Sequence, residues 1–199
     1  MDKISQQDLT EFYNKGAFAF EKKNYDYAIE IFSQILSSKY DHLEARRYLH
    51  LSLRNKIDKA SLNLITNIIN TINSFFVTLS AEGMSKKGNL VSALELYEKI
   101  ITKNPYDTNA LKKISELFYK NDLFSQAIQN LEEAKSIYSK DVDILKRLGE
   151  IYLKKGDYKN AKSNYEAALK INPHTSEVLR ALKNLDALGT IQEEFGKGS

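Results

Sequence analysis

The chain contains no cysteine and no tryptophan among its 199 residues. Without thiols, disulfides and thiolate metal sites are excluded. Only two prolines and eight glycines are present, which leaves long stretches free of the residues that break helices. The three histidines, His42, His50 and His174, are widely separated, so they form no helical metal-binding pair and read as ordinary surface or loop residues. No sign of charge dominates: the formal net charge is +3, which argues neither for nor against nucleic acid. No apolar run follows the charges of Met1 to Ser5, so no secretory signal is visible and a cytoplasmic location is expected. There is no phosphate loop and no Gly-x-Ser-x-Gly. The reading is therefore not an enzyme: no catalytic residue, no cofactor and no metal are expected.

What the sequence does have is a beat. Ala93, Ala127 and Ala161 stand 34 residues apart. Around them the same period relates Leu90, Phe124 and Tyr158; Tyr97, Leu131 and Tyr165; Ile100, Ala134 and Ala168; and Gly88, Asp122 and Gly156. A fixed period of this length means one supersecondary unit copied and stacked. Residues 142–175 show the unit most clearly. Leu145, Leu148, Gly149 and Tyr152 recur at helical spacing, giving one apolar face with a small residue on it. Gly156 can take the left-handed conformation that ends a helix, and Asp157 can cap the next one. That second helix carries Tyr158, Ala161, Tyr165, Ala168 and Leu169, and Asn172-Pro173 ends it. The small residues Gly16, Ala28, Ala93, Ala127, Gly149 and Ala161 are expected where two helices of a hairpin cross.

The unit resembles the tetratricopeptide repeat, a helix–turn–helix of 34 residues. Residues 74–107, with Val77, Ala81, Gly88, Leu90, Ala93, Tyr97, Ile100 and Pro105, look like it too. So do residues 108–141, with Leu111, Ile114, Phe118, Phe124, Ala127, Leu131 and Ala134, and residues 9–42, with Phe12, Gly16, Tyr25, Ala28, Phe32, Ile35 and Leu36. The resemblance implies an all-α fold: a right-handed α-solenoid of such repeats, closed by a C-terminal capping helix. The expected division is an N-terminal hairpin at 1–42, an irregular repeat at 43–73 and three tandem units at 74–175. A capping helix at 176–190 follows, built on Val178, Leu179, Leu182 and Leu185 and stopped at Gly189, and then a disordered tail at 191–199 whose last four residues could derive from cloning.

The register slips once. Residues 43–73 number 31 rather than 34. Asp41, with Glu44 three residues on, is expected to cap a helix there. From residue 60 to 81 no charge occurs, and Ile65, Ile68, Ile72, Phe75 and Leu79, with Phe76 beside them, keep helical spacing through the unit boundary. Two readings stand: one helix fused across residues 58–86, or a short turn near Asn70 to Asn73. A fused helix would expose an apolar stripe, a second interface suited to a homodimer or a membrane-associated assembly factor. Four asparagines in the run argue against membrane insertion.

In the family the first helix of each hairpin lines the concave surface. Subtracting the packing positions leaves Phe75, Thr78, Leu79, Glu82, Ser85 and Lys86 in the unit from residue 74, Asn109, Lys112, Lys113, Glu116, Tyr119 and Lys120 in the next, and Asp143, Lys146, Arg147, Glu150, Leu153 and Lys154 in the last. This net basic surface implies a protein or peptide partner, acidic in character, held by a scaffold. The family's clamp for chaperone C-terminal carboxylates would fall on Thr78, Glu82, Lys113, Asp143 and Arg147, and only Arg147 matches. Nucleic acid is not expected, because arginine is scarce and the surface carries glutamate.

Overall fold

The computed structural model describes residues 6–57 and 64–196. Expectations placed on residues 1–5, 58–63 and 197–199 lie outside the described residues, as do the side chains of Ile65, Ile68 and Ile72. Ten helices and no strand occur among the described residues: α1 (Gln6–Glu21), α2 (Tyr25–Ser38), α3 (Leu43–Lys56), α4 (Leu64–Lys86), α5 (Leu90–Lys103), α6 (Thr108–Lys120), α7 (Phe124–Ile137), α8 (Val142–Lys154), α9 (Tyr158–Ile171) and α10 (Ser176–Gly196). Two compact units divide the chain, Met1–Gln129 and Asn130–Ser199.

Four hairpins turn in the same way. Lys23, Gly88, Asp122 and Gly156 have positive φ, from 59° to 81°. The next residue's amide then donates back to a carbonyl five positions earlier: Asn24 to Ala19, Asn89 to Met84, Leu123 to Phe118 and Asp157 to Tyr152, at 2.8 to 3.0 Å. This is the left-handed C-terminal cap that satisfies the orphan carbonyls of a helix end. Side chains begin the following helices. Asn24, Asn89 and Asp157 each accept an amide three residues on, and Asp107 and Asp141 do the same at α6 and α8.

The cap of α3 differs from expectation. It is His42, not Asp41, whose Nδ1 accepts the Ala45 amide at 3.2 Å. The His42 amide itself bonds the Lys39 carbonyl at 3.1 Å, so the turn closes one residue later than a cap at Asp41 requires. Burial, then Lys39, holds the His42 pKa below its ordinary value, consistent with an imidazole that must stay neutral to accept.

Within the first unit, Phe32 stacks on Tyr48 at 5.3 Å, and Phe20 and Tyr13 meet Tyr48 edge-on. These rings join α1, α2 and α3. Leu94, Tyr97 and Ile101 of α5 and Leu111, Ile114 and Phe118 of α6 form the buried part further along. Within the second unit, Leu145, Ala161, Tyr165 and Ala168 of the α8–α9 hairpin share a core with Val178 and Leu185 of α10. Leu179 instead stays 40% exposed. The helix α10 runs on past Gly189 to Gly196. One glycine costs a helix only about 1 kcal/mol, and no proline follows to stop it.

Gly16 and Gly149 sit where the repeat requires small residues. A Cβ on Gly16 would lie 2.8 Å from Phe32 Cζ, and one on Gly149 2.6 Å from Tyr165 Cδ1. Both rings are fully buried, so neither can swing aside at little cost.

Residues 64–86 form one helix of 23 residues. It passes through Asn70 to Asn73, where a turn was the other expectation. Ala81 is buried, whereas Phe75, Phe76 and Leu79 are 66%, 62% and 61% exposed. No helix of the described residues is long and apolar enough to cross a membrane.

Candidate functional site

The five α6 residues picked out by sequence do not act alone. Lys113 Nζ lies 2.8 Å from Glu82 Oε1 of α4 and 3.9 Å from Glu116. Lys120 reaches Glu116 at 2.7 Å. Lys113 holds the Glu82 carboxyl below its ordinary pKa. These groups border a cleft of ≈ 200 Å³, with Glu82, Ser85, Lys86, Tyr97, Lys113 and Lys120 among its walls. The cleft thus gathers three lysines against two glutamates, Glu82 and Glu116. At its base is Tyr97, whose hydroxyl burial, reinforced by Glu82 and Glu116, pushes up to about 12. It therefore stays protonated, able to donate to an acceptor.

Tyr119 is half-exposed on α6, and its ring packs against Phe124 of α7, centroids 5.9 Å apart. Lys112 is half-buried. On α8, Arg147 Nε bonds Asp143 at 3.0 Å, one turn away. Lys146 pairs with Glu177 of α10, which raises the lysine's pKa and lowers that of the carboxyl. Glu150 and Lys154 are exposed. On α8, Lys146 and Arg147 therefore each stand beside a carboxylate of their own unit. The partners of Lys113 and Lys146 come from neighbouring helices, 31 residues away in each case. A search confined to pairs three and four apart on one helix does not find them.

A second cluster carried no sequence signal. Arg46 Nε lies 2.7 Å from Glu98 Oε1, and His50 Nε2 lies 2.9 Å from Glu98 Oε2. The Arg46 guanidinium also donates to the Tyr40 carbonyl at 2.8 Å and stands 4.8 Å over the Phe118 ring. Burial raises the Glu98 pKa, but His50 and Arg46 outweigh it and bring it to about 2. His50 is thus fully buried, not the surface residue expected of it. Gln126 and Gln129 of α7 donate to the carbonyls of Asp41 and Leu43. Together these bonds fasten α3 to α5, α6 and α7. The arrangement is a structural lock in which every nitrogen named has a partner. Among the described residues there is no group of three or more His, Asp or Glu side chains placed to hold a metal ion.

Residues 142–175 match the tetratricopeptide repeat family. No curated relative matches the chain. Among solved structures, the first such domain of Spaghetti (RPAP3), bound to an HSP90 peptide SRMEEVD, is similar with TM-score 0.54 and 17% identity, covering 59% of this chain and 94% of that one. The Arabidopsis OM64 domain gives TM-score 0.53 and 23% identity, covering 59% and 98%. The Yersinia enterocolitica type III secretion chaperone SycD, in complex with a peptide of the translocator YopD, gives 0.51 and 15%, covering 57% and 92%. At these identities the likeness concerns the fold. The family match over residues 142–175, the repeated left-handed turns and the small-residue crossings agree: the described residues form an all-helical fold of hairpins like those of tetratricopeptide-repeat domains.

Proposed function

We propose that this protein is a non-catalytic scaffold that holds an acidic peptide segment of a protein partner at the α4–α6 cleft. The observation that carries the reading is the convergence of Lys86, Lys113 and Lys120 on one cleft above a protonated tyrosine. A concavity with an excess of one charge draws the opposite charge into it. The partner's carboxylates exchange with Glu116 for Lys120, while Lys113 stays anchored to Glu82. Lys146, Arg147, Glu150 and Lys154 of α8 offer a further contact surface, at which a partner's carboxylate competes with Asp143 and Glu177. Two proteins with this fold are bound to peptides, an HSP90 segment and a translocator segment, which supports a peptide as the ligand class. The partner is not read as a chaperone terminus, because four of the five clamp positions carry other residues.

Fluorescence anisotropy with a labelled glutamate-rich peptide tests this. Lys86→Glu combined with Lys120→Glu should weaken binding about tenfold or more, and raising the salt should weaken the wild type. Lys113 is left intact, because its pairing with Glu82 ties α6 to α4. Equal affinity in wild type and variant would refute the cleft as the site.

A further inference from the structure

We infer, resting on the reading of the α4–α6 cleft as a peptide site, that Ser85, Lys86 and Tyr97 form a subsite in it for one glutamate side chain, selected over a phosphorylated residue. The cations of the cleft are not equivalent. Lys113 is held by Glu82 at 2.8 Å and Lys120 by Glu116 at 2.7 Å. Lys86, in the last turn of α4, makes no ion pair among the described residues. The hydroxyls of Ser85 and Tyr97 make no hydrogen bond there either. Three donors with no partner thus meet at one cleft, one cationic and two neutral.

Tyr97 carries most of the inference. It is 2% exposed, yet it is one of the walls of the cleft, so the little of it that shows faces the cleft. Glu82 and Glu116 both act on its hydroxyl, which puts that group near the two of them. Each of these carboxylates is already drawn to a lysine, and neither accepts the tyrosine's proton. A buried hydroxyl ordinarily has an acceptor. Here the chain supplies none, and the cleft gives one access. Packing alone does not ask for this hydroxyl: the same repeat position is filled by Leu131, fully buried, in the following unit.

Charge and shape select the anion. Three lysines and two glutamates leave the cleft one positive charge in excess. A single carboxylate neutralises it. A phosphorylated side chain brings about −1.5 to −2, too much beside Glu82 and Glu116. Arginine, whose planar fork matches a phosphate, is absent from the described walls. Ser85 and Tyr97 each offer one O–H, which serves the two oxygens of a carboxylate, and Lys86 supplies the counter-charge. Leu117, also a wall, and the Tyr97 ring give the glutamate methylenes an apolar surface.

Isothermal titration calorimetry of the full chain tests the subsite with three peptides of one length, acetylated and amidated at their ends. They carry glutamate, glutamine or phosphoserine at the same positions. The glutamate peptide should bind the wild type at least about tenfold more tightly than either of the others. Tyr97→Phe keeps the ring and should weaken the glutamate peptide about tenfold, leaving the glutamine peptide as it was. Ser85→Ala, at a half-buried position, should weaken the glutamate peptide about threefold. Urea midpoints check that both variants are folded, and Ser85→Ala decides alone if Tyr97→Phe is not. Unchanged affinity in the folded variants, with loss in the Lys86/Lys120 double reversal, overturns the subsite but not the cleft. Tighter binding of the phosphoserine peptide overturns the subsite as well. So does a glutamine peptide with a free C-terminus that binds as well as the glutamate peptide, since the chain end would then be the occupant. A wild type that ignores the glutamate peptide refutes the cleft itself.

Discussion

A missing methyl group sets the geometry at Gly149. The hairpin of α8 and α9 closes because Tyr165 presses against a residue with no side chain, and Phe32 does the same at Gly16. Gly149→Ala should therefore lower stability by about 1–3 kcal/mol, although alanine favours a helix. Gly83 is also within a helix, but a Cβ there meets nothing within 4 Å. Gly83→Ala should instead raise stability by about 0.5–1 kcal/mol. Urea midpoints of the two variants check the opposite signs. A gain in midpoint for Gly149→Ala would contradict the crossing as described. These positions were legible in advance, since a crossing point recurs once per unit and must be small each time. The left-handed Gly156 was legible for the same reason. Lys23 takes that conformation as well, and nothing in a lysine announces it. There the neighbouring helices impose the turn on a residue that does not favour it.

At the scale of elements, periodicity reveals what repeats and hides what does not. Arg46 and His50 stand one turn apart, but Glu98 lies 52 and 48 positions from them along the chain, and the three share no repeat position. Their only signal is three-dimensional. The lock they form has a definite acid dependence. The Glu98 carboxyl has its pKa lowered from 4.5 to about 2 in the folded protein. The depressed carboxyl adds stability that is fully present above about pH 4.5 and lost as pH falls toward 2. Glu98→Gln should remove that loss from the stability profile. At neutral pH it should cost about 3 kcal/mol, because Arg46 stays buried without its counter-charge. Chemical denaturation across pH 2 to 7 reads both effects. A variant with the wild-type acid dependence would mean that another carboxyl sets it. The helix α4 is the contrary case: its helical spacing is plain in the sequence, yet sequence left open whether a turn at Asn70 to Asn73 interrupts it. Asparagine tolerates turns but does not compel them, and neither proline nor glycine stands there to stop the helix.

At the scale of the whole molecule, stacking repeated hairpins is a way of presenting surfaces. Each hairpin spends its apolar residues on its neighbours and leaves one polar face of its first helix outward. The sequence reading expects such faces on α4, α6 and α8, but spacing along the chain does not balance their charges. Glu82 and Glu177 reach across from adjacent helices and draw Lys113 and Lys146 into pairs. The acidic partner is placed at the α4–α6 cleft, where three lysines face two glutamates. Amide chemical-shift mapping on the isotope-labelled full chain, titrated with a glutamate-rich peptide, tests this most directly. The account expects the largest shifts at Ser85, Lys86, Lys113, Leu117 and Lys120, and none with a lysine-rich peptide of equal length. Shifts confined to other helices, or equal responses to both peptides, would contradict it.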